Sequence, residues 1–164
     1  MPPRVSIRAA GRQDAPAIRR MLQELDALHA RIRPDVFQTC TNSEQLDARA
    51  FRFVDQDDAE LFVADIEESC VGLAFVRVSP NPAAPMFRPG DRALIDDLFV
   101  EARHRRTGIA RLLLERVSKW ARSRGISSLG INVWNANGSG VSFFTSFGFV
   151  PRCQQMELQV ARPD

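Results

Sequence analysis

A basic turn that contains a glycine and precedes a helix is the part of this sequence best suited to bind an anion. Arg105, Gly108 and Ala110 follow the strand-like segment 94–100, and apolar residues then recur at helical spacing. The first N–H groups of a helix lack intrahelical partners and lie at the positive end of its dipole. With the neighbouring arginines, they predict a phosphate site. The motifs G-x-x-x-x-G-K-[ST] and G-x-G-x-x-G do not occur here.

Two adjacent carboxylates, Asp96 and Asp97, lie in the strand-like segment before this turn. Side chains alternate between the two faces of a strand, so we expect only one of the pair to face a given cleft. A carboxylate in a central strand often has a raised pKa, and such a group can take a proton from an attacking amine. The alternative is a structural acid that pairs with one of the many arginines.

Two motifs together resemble those of the GCN5-related N-acetyltransferase (GNAT) superfamily. Residues 105–110 are similar to its pyrophosphate loop, Gln/Arg-x-x-Gly-x-Gly/Ala. Residues 137–149 are similar to its later motif, Asn-x-x-Ala-x-x-x-Tyr-x-x-x-Gly-Phe, with Gly140 in place of the usual Ala and Phe144 in place of the Tyr. The order of the predicted elements is also that of the superfamily, so the resemblance covers essentially the whole chain.

The resemblance implies acetyl-CoA as co-substrate and no metal. It implies that backbone N–H groups of the turn hold the pyrophosphate, and that the backbone of the preceding strand pairs with the pantetheine arm. An N–H of that strand would also polarise the thioester carbonyl. Asn137 would bind the pantetheine, although an Asn at this place is equally a helix cap. The cofactor-binding residues expected on this basis are Leu98, Phe99, Val100, Arg105, Arg106, Thr107, Gly108, Ile109, Ala110, Asn137 and Phe144.

The catalytic residue implied by the resemblance is Asp96, at the position that acts as general base in several members. Asp is shorter than the Glu usual there, so a bridging water is a further possibility. The Tyr that protonates the leaving thiolate in the family is replaced by Phe144, and the chain has no tyrosine at all. Loss of a positioned acid would lower the rate by at most ~10²–10⁴-fold, and water or the substrate ammonium could supply the proton.

The acceptor site implied by the resemblance lies near the end of the first predicted helix, around His29, Arg33, Asp35 and Phe37. An Arg and an Asp together could hold a zwitterion or a carboxylate-bearing amine. Polar residues in such loops are also often simply solvated.

Predicted helices and strands must position these residues. The order of these elements along the chain predicts an α/β fold in which a mixed, mostly antiparallel central sheet carries helices on both faces. The chain is expected to form a single domain, 1–164. Asp14 and Ser43 are expected to cap the first two helices, and Gly125 follows the third. The predicted helices are 14–29, 43–53, 108–124 and 139–147, and the predicted strands are 5–8, 60–66, 70–79, 92–100 and 128–134, with terminal strand material in 149–160.

Composition narrows the function. A net charge of +2 gives no support to a nucleic-acid partner. Three well-separated cysteines and two histidines make a metal site an unfavourable interpretation, and Cys70 and Cys153 are expected to be buried in strands. No apolar run is long enough to span a membrane, and no leader is recognisable, so a cytoplasmic location is expected.

These observations predict an N-acetyltransferase that transfers acetyl from acetyl-CoA to a primary amine of a small molecule by direct attack. An alternative acceptor is a protein, through its N-terminal amine or a lysine. A third interpretation is a non-catalytic acyl-CoA-binding domain, which the missing Tyr would favour. A homodimer is possible, because an exposed apolar terminal strand often pairs with a second copy.

Overall fold

The computed structural model describes residues 4–52 and 56–160. Five strands form one sheet in the order β1-β2-β3-β4-β5, in which the first four run antiparallel and β4 and β5 run parallel. The predicted mixed, mostly antiparallel sheet is therefore confirmed. The strands are β1 Val5–Ala9, β2 Ala59–Ile66, β3 Ser69–Pro80, β4 Asp91–Val100 and β5 Leu129–Ile131.

Helices cover both faces of this sheet, as the sequence predicts. On one face, α1 and α2 bury residues such as Ile18, Met21 and Leu46 against β2, β3 and β4. On the other face, α3 and α4 bury Leu113, Val117 and Phe144. The amphipathic spacing of the apolar residues decides which side of each helix faces the sheet. The helices are α1 Ala15–Ile32, α2 Ser43–Phe51, α3 Ile109–Ser123 and α4 Gly138–Phe147.

An irregularity in β4 shapes the centre of the sheet. Phe75 pairs with Asp97 and Val76 pairs with Ile95, so Asp96 is the extra residue of a β-bulge. Beyond Ile95, β4 also parts from β5, because the pairing of these two strands ends at Ile95 and Ile131. Among the described strands, none continues along the β5 side of β4 over residues 96–100. The sheet is therefore open at the carboxyl end of β4.

The C-terminal segment is where the sequence prediction is wrong. Residues 149–160 form no strand, and the predicted strand 128–134 shortens to Leu129–Ile131. The apolar side chains of the segment, from Val150 to Val160, are between 79% and 85% exposed. Alternating apolar residues form a strand only where they pair with a sheet edge, and residues 149–160 pair with neither β5 nor the open part of β4 in the described chain. Cys153 is exposed for the same reason, whereas Cys70 is buried and burial raises the pKa of its thiol to about 12.

Two helix starts also differ from prediction. The cap of α2 is Asn42, whose side chain accepts a hydrogen bond from the Gln45 N–H at 3.0 Å, and not Ser43. The Asp14 carboxylate makes no cap to α1; it accepts from the Gly11 N–H at 2.8 Å and pairs with Arg8. At α2 the neighbouring Asn42 already provides the acceptor, whereas at α1 the Asp14 carboxylate is engaged by the Gly11 N–H and Arg8. The predicted helix 43–53 is described up to Phe51, and residues 53–55 lie outside the described residues.

None of the helices in the described part of the chain has both the length and the apolar character needed to cross a membrane. Residues 4–52 and 56–160 also hold no group of three or more His, Cys, Asp or Glu side chains arranged for a metal ion.

Candidate active site

The turn before α3 presents a set of unused backbone donors. Gly108 has φ +91° and Arg106 has φ +65°, so the chain turns sharply just before the helix begins. In the described part of the chain, no carbonyl or side chain accepts from the N–H groups of residues 106–110. Leu112 makes the first backbone bond of the helix, to the Gly108 carbonyl at 3.1 Å. A Cβ on Gly108 would meet nothing within 4 Å, so the turn opens to solvent.

Side chains of the turn hold its shape. The Arg105 Nε donates to the Val100 carbonyl at 2.9 Å, and its guanidinium lies 5.4 Å from the centre of the Phe99 ring. The Thr107 hydroxyl donates to the His104 carbonyl at 2.6 Å. These contacts fix the turn to the end of β4. The backbone N–H groups, and not the Arg105 Nε, are therefore the donors left for a ligand.

Side chains at the end of β4 pack in the core, while the backbone there is accessible along one edge. Leu98 and Val100 pack with α3, and Phe99 packs with α1 on the opposite face. The strand edge over 96–100 faces the opening between β4 and β5. An extended ligand could pair with this edge as an added strand would.

Both adjacent acids of β4 face arginines of the α2 side. The Arg77 Nε donates to Asp96 at 2.7 Å, and Arg52 lies 3.8 Å from the same oxygen. The Arg49 guanidinium donates to Asp97 at 2.7 Å. The expectation that only one of the two acids would face a given side is wrong, because the bulge interrupts the alternation of side chains.

Arg49 ties three elements together below the opening. Its guanidinium also donates to Asp26 at 2.7 Å, so it joins α1, α2 and β4. Burial lowers the Arg49 pKa, but Asp97 and Asp26 outweigh burial and the net effect is a raised pKa. The Arg49 guanidinium therefore stays charged. We call Arg49, Asp26 and Asp97 together the Arg49 platform.

His29 lies beside this platform. Its ring stacks on Phe37 with a centroid distance of 5.0 Å. Burial lowers the pKa of His29 below its ordinary value of 6.5, and Asp97 and Asp26 oppose the shift only partly. The imidazole is therefore neutral at neutral pH.

Arg33 is the centre of a second group of contacts at the rim of the opening. Its guanidinium donates to Asp35 at 2.7 Å and to Glu157 at 3.0 Å. The same guanidinium lies 4.9 Å from the Trp134 ring, and Phe37 packs edge-on against that ring at 5.3 Å. The three predicted acceptor-site residues, His29, Arg33 and Asp35, thus come together in one cluster.

Trp134 and Glu157 belong to this cluster and were not predicted by the sequence. Trp134 follows β5, and Glu157 lies in the terminal segment, about a hundred or more residues from Arg33. Contacts of that separation leave no periodic signal. A tryptophan in a polar loop directly before the Asn137 motif was the one available sign.

Asn137 serves as the cap of α4. Its side chain accepts from the Gly140 N–H at 3.0 Å, and its backbone N–H donates to the Trp134 carbonyl at 2.8 Å. A Cβ on Gly140 would lie 2.8 Å from the Asn137 amide nitrogen, which explains glycine at this place. The cap and the Trp134 loop form one unit beside the opening.

Phe144 is a core residue of the α3 side. Its ring packs edge-on against Phe143 at 5.3 Å and Phe149 at 5.4 Å, and only 8% of the residue is exposed. The Arg111 guanidinium lies 5.3 Å from the Phe147 ring, so α4 adjoins the first turn of α3. The Phe144 position is therefore near the Gly108 turn but carries no proton donor.

The comparisons with known proteins agree with this geometry. The profile of the Acetyltransferase (GNAT) family matches residues 22–149. The human protein N-acetyltransferase 8 is 32% identical over 88 residues, which are 54% of this chain and 37% of that protein. The chain therefore matches little more than a third of this relative's length.

Solved structures share the fold along nearly the full chain. A mutant of the BH1408 protein from Bacillus halodurans has a TM-score of 0.86 and 24% identity, covering 95% of this chain and 99% of that one. The aminoglycoside N-acetyltransferase AAC(6')-Iy in complex with CoA has a TM-score of 0.76 and 14% identity, with 98% and 97% covered. A predicted acetyltransferase with acetyl-CoA from Clostridium acetobutylicum has a TM-score of 0.73 and 15% identity, with 95% and 96% covered.

Proposed function

The chain belongs to the Acetyltransferase (GNAT) family, and from this premise we propose that it transfers the acetyl group of acetyl-CoA to a primary amine of a small molecule. One observation carries the proposal: five consecutive backbone N–H groups, 106–110, are unpaired at the start of a helix beside an open strand edge. A helix start of this kind favours a doubly charged pyrophosphate.

The rest of the cofactor would follow the edge of β4. The backbone over 98–100 is accessible where β4 and β5 part, so the pantetheine amides can pair with it. An N–H of this edge would also stabilise the oxyanion of the tetrahedral intermediate. Asn137 stands on the other side of the opening, with its amide nitrogen available beyond the cap. Structural relatives in complex with CoA and with acetyl-CoA support acetyl-CoA as the co-substrate.

The reaction would be a direct transfer. The acceptor ammonium loses a proton to Asp96, directly or through water, and the free amine attacks the thioester carbonyl. The tetrahedral intermediate then collapses, the C–S bond breaks, and the acetylated amine and the coenzyme A thiolate leave. Asp96 is held by Arg77, so its orientation is fixed before the acceptor arrives. After the attack the nitrogen of the intermediate carries a positive charge, and the proton that it loses on collapse, or a proton from water, would protonate the thiolate, because Phe144 cannot supply one.

A non-catalytic acyl-CoA-binding domain is the second candidate, and the aromatic Phe144 is the observation that favours it. A peptide acceptor is the third, but the contacts of Arg33 with Trp134 and Glu157 narrow the opening from the α1 side. These contacts favour a small acceptor over an extended chain.

Turnover tests the proposal. We would measure thiol release from acetyl-CoA with monoamines, diamines, aminosugars, amino acids and short peptides, and identify each product by mass. A reaction without acceptor gives the hydrolysis background. We expect one acetylated product per thiol released from at least one small amine. Thiol release with peptides but with none of the small amines would indicate that the acceptor is a protein. Tight acetyl-CoA binding without any acetylated product would establish the binding-only alternative.

A further inference from the structure

The contacts of Arg33 form a small cation site that the protein fills with its own side chain. We call this site the Arg33 seat; it consists of Trp134, Asp35 and Glu157. Two carboxylates meet the guanidinium at 2.7 Å and 3.0 Å, and an aromatic face lies 4.9 Å from it. Carboxylates together with an aromatic ring face are the groups by which proteins recognise ammonium and guanidinium ligands.

The seat is accessible to a ligand from solvent. Trp134 is 38% exposed, and half or more of the Asp35 and Glu157 side chains is exposed. Ion pairs at such exposure contribute little to stability, because water and salt compete for both partners. Only 24% of the Arg33 side chain is exposed, but both carboxylates that it contacts are open to water, so a competing cation can reach them.

The charges around the seat favour a ligand with more than one positive charge. In the seat, one arginine faces two carboxylates, Asp35 and Glu157. Between α1, α2 and β4, Arg49 pairs with both Asp26 and Asp97. Each of these two groups therefore carries an excess of one negative charge, whereas Asp96 lies beside two arginines, Arg77 and Arg52. Two separated surpluses of negative charge suit an acceptor with two cationic ends.

A substrate carboxylate is a poorer fit for Arg33. The guanidinium already pairs with two carboxylates of the protein, so its charge is compensated before a ligand arrives. A carboxylate-bearing amine would have to displace one of these acids and would meet repulsion from the other.

We propose that the acceptor carries a second cationic group besides the amine that reacts, and that this group binds the Arg33 seat by displacing Arg33 from Trp134. This inference rests on the proposed function and names the substrate class of the same site. Arg33 would then act as an internal competitor, and Trp134 as a specificity-determining residue. The preference for a dicationic acceptor would then depend on how much more strongly its second cationic group binds the Trp134 ring than the Arg33 guanidinium does.

Two matched acceptors test the inference. 1,4-Diaminobutane and n-butylamine present the same reacting end, and only the diamine has a second charge. The readout is the ratio of kcat/KM for the diamine to that for the monoamine. Removing the competitor in Arg33→Met should raise this ratio about two- to fivefold, which corresponds to the usual strength of an exposed cation–π contact. Trp134→Leu should lower the ratio by a similar factor.

Arg31→Met is the matched control, because Arg31 is an exposed arginine of the same helix. It should leave both kcat/KM values and their ratio unchanged. The inference is overturned if Arg33→Met lowers the ratio, since Arg33 would then be part of the recognition site itself. A ratio that stays at the parent value in Trp134→Leu would equally overturn it.

Fluorescence gives a readout that needs no turnover. The chain has two tryptophans, and Trp120 is buried, so a change caused by the diamine in the seat reports on Trp134. We expect the diamine to change the emission of the parent protein more than n-butylamine does, and Trp134→Leu to abolish the difference. Equal responses to both amines would contradict the inference. If the diamine changes the emission but no amine is acetylated, the proposed function is contradicted, whereas binding of a dication at the Arg33 seat remains supported.

Discussion

The two sides of the central sheet meet at one opening, but they contribute to it by different means. On the α3 side, the side chains of residues such as Ile109 and Phe144 are buried in an apolar core, and the backbone of the Gly108 turn is left free. On the α1 and α2 side, charged side chains pair with each other, as Arg49 does with Asp26 and Asp97.

Under the proposed function, this difference would separate the binding of the common co-substrate from the choice of acceptor. Backbone donors do not titrate and do not change with side-chain identity, so the α3 side is suited to a ligand that never varies. Paired charges can be exchanged one residue at a time, and each exchange alters the charge and shape that the acceptor meets. The α1 and α2 side is therefore where we expect specificity to be set.

The largest expected effect is the loss of acetyl-CoA binding at the Gly108 turn, on the α3 side, in the variant Gly108→Glu. Glutamate would be strained at φ +91° and would place a negative charge beside the N–H groups of the turn. We expect acetyl-CoA affinity to fall by more than ~10²-fold, measured by calorimetry. Gly125→Glu is the control, because Gly125 also has a positive φ and open space but follows the opposite end of α3. Equal affinities for the two variants would place the cofactor elsewhere.

A substitution at Asp96, which faces the α1 and α2 side, should lower kcat/KM and leave the affinity for acetyl-CoA unchanged. Asp96→Asn removes the proposed proton acceptor but keeps a side chain that can contact Arg77. We expect kcat/KM to fall by ~10²-fold, most strongly at low pH, while acetyl-CoA affinity stays near that of the parent. An unchanged pH–rate profile would rule out this role and leave Asp97 or a chain of waters as the route for the proton.

Phe144→Tyr tests whether the α3 side lacks a useful acid. Coenzyme A is a fairly acidic thiol, so its departure seldom sets the rate and the gain in kcat should be under about tenfold. Because Phe144 is packed between Phe143 and Phe149, circular dichroism should first confirm that the variant folds. A gain of several hundredfold would show that thiolate protonation is the limiting step.

The smallest expected effect is a pH dependence of the free energy of unfolding, which we attribute to His29. Burial lowers its pKa in the folded protein, so the unfolded chain binds more protons at and just below the ordinary value of 6.5. The free energy of unfolding should therefore fall as the pH decreases through that window and be fully recovered above it.

Urea unfolding between about pH 7.5 and about pH 5.5 measures this slope. His29→Gln should flatten it, whereas His104→Gln, at the second histidine of the chain, should leave it in place. A slope that is the same in His29→Gln as in the parent would show that His29 is not the group responsible.

How much of this molecule the sequence could predict depends on how far apart the interacting residues lie. The Gly108 turn, the Asn137 motif and the order of elements up to α4 depend on neighbours within a few residues, and the structure has them as predicted. The bulge at Asp96 depends on the register between β3 and β4, which residue types alone do not specify.

The acceptor side was predicted only in part for the same reason. His29, Arg33 and Asp35 were identified from one short segment, but Trp134 and Glu157 reach them from distant parts of the chain. The terminal residues 149–160 show the opposite error, since their alternating pattern predicts a strand but they pair with no strand of the described chain. A pattern indicates what a segment can form, while its partner decides what it does form.

The central claim is that the backbone of the Gly108 turn binds the cofactor. An NMR titration of the ¹⁵N-labelled protein with coenzyme A tests it most directly, because it reports on each N–H separately. We predict that the largest amide shifts occur at residues 106–110, with smaller changes along 98–100 and little change over 26–37. Shifts concentrated on the α1 and α2 side, with the amides of 106–110 unmoved, would contradict the account.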